Sequence, residues 1–99
     1  MTGAADAPDE PATLLREARQ AVRGRLPRGY DTIVELRAGR VELTLLGPQG
    51  TDRLRAAYWL DERLRSQGLY MRLDGAKPPC EVLGEWGENT IVTIERPGT

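Results

Sequence analysis

Hydrophobic residues recur at two different spacings along this chain, and each change of spacing predicts a new element. Between residues 14 and 22 the spacing is three or four positions, which is typical of a helix with one apolar face. These apolar positions are Leu14, Leu15, Ala18, Ala21 and Val22. Asp9 precedes the stretch as an expected N-cap, and Gly24 and Pro27 follow it, so a first helix is predicted between them.

Hydrophobic and polar residues alternate on both sides of Ala38-Gly39. Alternation around a two-residue loop predicts a β-hairpin, here from residue 32 to residue 46. With that loop Leu36 faces Val41 and Val34 faces Leu43, so both strands present apolar residues on the same side. The charged residues of the hairpin then lie on the opposite side.

A second helix follows the loop Gly47-Pro48-Gln49-Gly50. It is expected to begin with Thr51 or Asp52 as its cap and to end at Gly68. Three later segments have the alternation or the β-branched residues of strands. They are residues 69–73, 80–85 and 90–95, with a turn at 87–89 between the last two.

The predicted order of elements is α-β-β-α-β-β-β. Short loops make this order an α+β two-layer sandwich, in which a four- to five-stranded, largely antiparallel sheet carries two helices on one face. Residues 9–96 are expected to form this single domain, between a disordered tail at 1–8 and a C-terminal tail at 97–99. The second face of the sheet then carries four apolar residues, which hint at dimerisation. They are Ile33, Leu46, Leu83 and Ile91.

Trp59 is the residue that fits least well with a simple core. The second helix has its apolar stripe at Leu54, Ala57, Leu60 and Leu64. Trp59 projects roughly opposite, with Arg55 and Arg63 one turn away on either side. Because tryptophan and arginine are enriched at binding hot spots, these three residues are predicted to form a protein interface. The alternatives are burial of Trp59 within the monomer by the first helix, the N-terminal tail or a rotated second helix, simple exposure, or a contact with nucleic acid.

Arginines extend this predicted surface onto the first helix. Arg16, Arg19 and Arg23 recur on its polar side, opposite the apolar stripe. If the two helices lie side by side, the arginines surround an aromatic ring, which is an arrangement suited to phosphates and a stacked base. The alternative is an ordinary solvated helix face, partly neutralised by nearby carboxylates.

Composition removes most catalytic chemistries. The chain has no histidine, a single cysteine and a formal net charge of −1, so the usual general base, the nucleophile pairs and zinc or iron–sulfur sites are missing. Cys80 follows Pro78-Pro79 and precedes Glu81, which favours a buried structural thiol. The carboxylates lack the spacing of a metal-binding loop. The sequence therefore predicts no catalytic residue, no metal and no cofactor.

Without catalytic, metal-binding or cofactor-binding residues, the sequence gives only general expectations about localisation and function. No apolar run approaches the roughly 20 residues that a membrane helix needs, and the start of the chain does not resemble a signal peptide, so a cytoplasmic protein is expected. The expected function is that of a small non-enzymatic binding or assembly domain, acting through protein–protein contacts as a homodimer or as a subunit of a larger complex. The alternative is a nucleic-acid-binding accessory protein that uses the arginine-rich helix faces.

Overall fold

The computed structural model describes residues 10–24, 26–73, 78–85 and 91–96 of the 99-residue chain. The predicted tails at 1–8 and 97–99 and the turn at 87–89 lie outside the described residues. The elements in chain order are α1 (Glu10–Ala21), β1 (Asp31–Arg37), β2 (Arg40–Leu46), α2 (Thr51–Ser66), β3 (Tyr70–Arg72), α3 (Pro79–Glu85) and β4 (Ile91–Glu95).

The four strands form one sheet in the order β1-β2-β4-β3, and every neighbouring pair is antiparallel. The predicted α+β class is therefore confirmed. The hairpin has the predicted register, because Leu36 lies opposite Val41 and Val34 lies opposite Leu43. Its loop has positive φ at both residues, 52° at Ala38 and 77° at Gly39, which matches the right-handed twist of the two strands.

The core lies between one side of the sheet and the helices. Each helix packs the stripe that its spacing predicts against the core, although Leu14 and Leu15 of α1 and Leu54 of α2 are only half-buried. The buried helix residues include Ala18, Ala21 and Val22 of α1 and Ala57, Leu60 and Leu64 of α2. The buried strand residues are Val34, Val41, Leu43, Leu45, Met71, Val92 and Ile94. Because these side chains belong to one cluster, α1 and α2 pack on the same side of the sheet.

Residues 80–85 form the helix α3, so the prediction of a strand there was wrong. Pro79 is at the first helical position, where its missing N–H costs nothing, and the carbonyl of Pro78 accepts the N–H groups of Glu81 and Val82 at 3.0 and 3.2 Å. Cys80 and Leu83 are then on the same side of a helix turn, and both are buried. Leu83 therefore lies in the core and not on the second face of the sheet.

The ends of α2 follow the prediction at one terminus only. Gly50 is the N-cap and makes no side-chain hydrogen bond, so the predicted capping by Thr51 or Asp52 was wrong; both residues are already in the first turn. At the other terminus Gly68 has the predicted role. The N–H of Leu69 bonds to the carbonyl of Leu64 at 2.9 Å and that of Gly68 to Arg65 at 3.0 Å, which is a Schellman motif.

Candidate functional site

Trp59 is half-buried and packs against the core, which agrees with the alternative that the first helix buries it within the monomer. Its indole lies against the backbone just after α1. A Cβ atom added to Gly24 would lie only 2.8 Å from Cη2 of Trp59. Gly24 also has a φ of 145°, which other residues rarely adopt. The first helix and the glycine that follows it therefore cover Trp59 within the monomer.

Arg63 completes this contact between α2 and α1. Its guanidinium carbon lies 5.4 Å from the centroid of the Trp59 ring. Its Nε donates to the carbonyl of Ala21 at 3.2 Å, and its Nη2 donates to the carbonyl of Arg23 at 3.3 Å. Carbonyls at the end of a helix lack intrahelical partners and favour a cation. Trp59 and Arg63 thus form a clasp that joins the two helices.

Arg55 and Arg63 are both exposed, but Arg55 is the member of the predicted trio that takes no part in the clasp. It lies one turn before Trp59 on α2. Tyr58, beside it in sequence, is 47% exposed and is the more accessible aromatic residue. The structure therefore brings Trp59 and Arg63 together as predicted, but it uses both of them inside the chain.

Arg16 and Arg19 of α1 and Arg23, just after its end, line one groove, as the helical spacing predicts. The groove has a volume of about 580 Å³ and is lined by Ala12, Leu15, Arg16, Arg19, Gln20 and Arg23, none of them acidic. It adjoins the clasp, because the carbonyl of Arg23 accepts a hydrogen bond from Arg63. Arg16 and Arg23 are exposed. The basic surface expected from the sequence is therefore present at this helix.

Arg19 has a second role at the edge of the sheet. In a hairpin with a two-residue loop, the backbone N–H and C=O of Val34 point away from β2. The carbonyl of Val34 accepts the Nε of Arg19 at 2.9 Å, and the N–H of Thr32 donates to Oδ1 of Asp31 at 2.8 Å. Two outward-facing backbone groups of the edge strand β1 are therefore already bonded within the chain.

The side of the sheet away from α1 and α2, here called the outer face, has an apolar end. Ile33, Thr44 and Ile91 lie side by side on β1, β2 and β4. Ile33 is 42% exposed and Ile91 is 40% exposed, and the neighbouring Leu46 is half-buried. The sequence correctly placed Ile33, Leu46 and Ile91 on this second face.

The other end of the outer face is charged. Arg37 lies 3.6 Å from Glu35 and 3.7 Å from Glu42, and Arg72 lies 3.3 Å from Glu95. These side chains are wholly or partly exposed, so the pairs stabilise the monomer little. Arg40 lies beside them and, with Arg72, lines a groove of about 280 Å³. The outer face therefore combines an apolar patch with charges of both signs.

Arg53 is the interior residue that the sequence reasoning missed. It is completely buried, yet its Nε donates to the carbonyl of Leu83 and its Nη1 to that of Gly47, each at 2.9 Å. Its spacing was the available signal, because residue 53 precedes Ala57 by four positions and Leu60 by seven, in line with the buried stripe. Arg53 positions α3 against the start of α2 and is structural rather than accessible.

Cys80 is the nucleophilic group in the described interior. Burial, with a smaller contribution from the carboxylate of Asp61, raises the pKa of the Cys80 thiol above its usual range. A raised pKa disfavours the reactive thiolate at neutral pH. In the part of the chain that the structure describes, no three histidine, cysteine or acidic residues are grouped so that they would hold a metal ion.

The comparisons with known proteins gave no relative. No protein-family model, no curated protein and no solved structure matches this chain. Within the described ranges, no helix is both long enough and apolar enough to cross a membrane. Function is therefore inferred from the geometry of the surfaces.

Proposed function

We propose that this chain is a small non-enzymatic binding domain that acts through protein–protein contacts, with the outer face of its sheet as the contact surface. The observation that carries the proposal is the row of Ile33, Thr44 and Ile91, which lies across three strands with both isoleucines about two-fifths exposed. An apolar patch with a polar rim is typical of a protein-binding surface. The β-branched side chains are stiff at χ1, so they lose little entropy when a partner covers them.

The outer face is a better candidate than the Trp59 surface predicted from the sequence. The indole already packs against Gly24, and the Nε and Nη2 of Arg63 already donate to helix carbonyls. A partner would have to break these contacts before it gained equivalent ones. The isoleucines of the outer face have no such competing contact to break on their exposed sides.

Site-specific photo-crosslinking in cells that express the protein tests this proposal. A benzophenone amino acid at Thr44 should give covalent adducts with protein, because this position is central in the apolar row. The same amino acid at Glu62, an exposed position on α2, is the matched control and should give few adducts. Equal labelling from both positions, or no protein adduct from Thr44, would contradict the proposal.

A second candidate function is binding to nucleic acid through α1. The observation that favours it is the groove lined by Arg16, Arg19 and Arg23, in which none of the described lining residues is acidic. Backbone phosphates would release counterions on binding, so the affinity should fall steeply with salt. The test is the affinity for a short duplex and a single strand at two salt concentrations. The double variant Arg16→Glu/Arg23→Glu should abolish binding. It leaves Arg19 in place, because Arg19 bonds to the backbone of β1. An affinity that does not change with salt concentration would exclude this function.

A further inference from the structure

We infer that the partner of the outer face is a second copy of this chain, packed face to face around a twofold axis that runs parallel to the strands between β2 and β4. This inference rests on the proposed function, since it names the partner of the same surface. It follows from the register of the sheet and from the positions of the charges on it.

The register arranges the outer face in rows that cross the strands, and three rows follow the Asp31–Leu46 pair at the end of the hairpin. The apolar row contains Ile33, Thr44 and Ile91. The next row contains Glu35, Glu42, Thr93 and Arg72. The third row contains Arg37, Arg40, Glu95 and Tyr70; Arg40 and Glu95 each lie one residue beyond the Val41–Ile94 pair. The first of these rows is therefore apolar, and the two rows after it carry charged residues.

A twofold axis along the strands exchanges β1 with β3 and β2 with β4, while each row stays opposite itself. Glu35 then lies opposite Arg72 of the second copy, and Arg40 lies opposite Glu95 of the second copy. Each pair occurs twice, because a twofold interface is made by the same patch on both copies. In the apolar row Thr44 lies opposite Ile91 of the second copy, whereas Ile33 lies beyond the end of β3 of the second copy.

The other twofold axis within the interface, across the strands, does not fit. Placed between the first two rows, it would put Ile33 over Glu35 and Thr44 over Glu42 of the second copy. Both carboxylates would then lose water against apolar or weakly polar groups without gaining a cation. Compared with that placement, the axis along the strands is favoured, because it brings opposite charges together.

Sheet twist leaves this pairing possible. Packed sheets are rotated by about 30° from one another, which displaces residues on the outermost strands by about 4 Å. The displacement at β2 and β4, which lie next to the axis, is smaller. Arginine side chains are long enough to follow these displacements, so both charge pairs stay within reach.

The size of the face sets the expected affinity. β1 and β2 have seven residues each, β4 has five and β3 has three. At about 4.8 Å between strands and about 3.3 Å per residue, these residues give a face of about 350 Å² in projection. Two copies would bury about 700 Å² in total, which is below the standard range for a stable complex. The dimer is therefore expected to be weak, with a dissociation constant above about 1 µM.

Sedimentation equilibrium with a charge-swap pair tests the inference. The wild-type protein should dimerise between about 10 µM and about 1 mM. Arg40→Glu and Glu95→Arg should each weaken self-association by about tenfold or more, because each homodimer then faces like charges twice. An equimolar mixture should recover an affinity within about threefold of the wild type, because both pairs are restored in the heterodimer. Arg55→Glu makes the same charge change on α2 and should leave association unchanged.

Glu95 and Arg72 also pair within the monomer, so the variant of each swap that leaves this pair in place, Arg40→Glu or Glu35→Arg, is the one that reports on the interface alone. Glu35→Arg and Arg72→Glu should show the same loss alone and the same recovery when mixed. A monomer at about 1 mM, or weakened variants that do not complement in either swap, would overturn the inference. Thr44 crosslinks to a different protein would still support the proposed function in that case, whereas an absence of all protein crosslinks would contradict both.

Discussion

Ala38 has the least favourable backbone conformation of the non-glycine residues that the structure describes. Its φ is 52°, in the left-handed region that asparagine and glycine adopt more readily than alanine does. Ala38→Asn is therefore expected to raise the free energy of unfolding by about 0.5 to 1 kcal/mol, measured by urea denaturation. Ala38→Val is the control at the same site and should lower it, because a β-branched residue is strongly disfavoured there. A change of the free energy of unfolding in the same direction for both variants would contradict this explanation.

Arg53 stabilises the fold through one buried carbonyl, that of Leu83, and one partly buried carbonyl, that of Gly47. Arg53→Met keeps the bulk of the side chain but leaves the carbonyls of Leu83 and Gly47 without this donor, which should cost about 2 to 4 kcal/mol. Arg65→Met is the control, because Arg65 makes an exposed ion pair with Asp61 at 3.0 Å and should cost less than about 0.5 kcal/mol. Equal losses of the free energy of unfolding for Arg53→Met and Arg65→Met, measured by chemical denaturation, would show that the hydrogen bonds of Arg53 contribute little.

Among the elements, α2 and α3 meet where Gly84 faces Leu54. A Cβ atom at Gly84 would lie 2.7 Å from Cδ1 and 3.0 Å from Cα of Leu54. Gly84→Ala is therefore expected to destabilise the protein by about 1 to 3 kcal/mol through overpacking, although helix propensity alone would favour alanine by about 1 kcal/mol.

The Leu54→Ala/Gly84→Ala double variant separates these two effects. Removing the Leu54 side chain relieves part of the crowding, so the double variant should be more stable than the sum of the two single losses by at least about 0.5 kcal/mol. Strict additivity in thermal or urea denaturation would indicate that the two helices do not meet as closely as their backbones show.

The elements that the sequence predicted correctly have local signals. The two-residue loop determines the register of the hairpin, and the glycine after α2 ends that helix. Residues 80–85 lack such a signal, since a six-residue segment with two apolar positions three apart fits a helix as well as a short strand. Burial of Trp59 depends on the positive φ of Gly24, a contact between two elements that no periodicity within α2 encodes.

At the scale of the whole molecule, the sequence also predicted only part of the arrangement of the outer face. Alternation placed Ile33, Leu46 and Ile91 on that face correctly. Their arrangement into rows depends on the strand order β1-β2-β4-β3, in which β4 lies between two strands that precede it in the chain. Because this order is a property of the complete sheet, the sequence predicted which residues are outward but not which of them are neighbours.

Glu17 and Arg96 connect α1 to the residue that follows β4, and this link predicts a pH dependence. The two side chains make a bidentate pair at 2.8 and 2.9 Å, which lowers the pKa of Glu17 below its ordinary value of 4.5. A lowered pKa in the folded state means that the pair adds stability above pH 4.5 and that this contribution is lost as the pH falls through the lowered value.

Comparison of the wild type with Glu17→Gln measures this contribution. The variant should be less stable than the wild type at neutral pH, and the difference should disappear in acid, as followed by thermal denaturation. Arg96→Gln should remove the same acid-dependent part, and the double variant should lose no more of it than either single variant. A difference that is constant from neutral to acid pH would show that the pair does not contribute in this way.

The bonds that Arg19 and Asp31 make to the backbone of β1 also bear on how large an assembly can become. Edge-to-edge joining of sheets has no natural end, because each added copy offers a new edge, and the result is a fibre. Pairing through one face around a twofold axis consumes the surface and stops at two copies. With two of the outward backbone groups of β1 occupied, edge-to-edge joining at β1 is disfavoured, whereas the dimer inferred above would close at two copies.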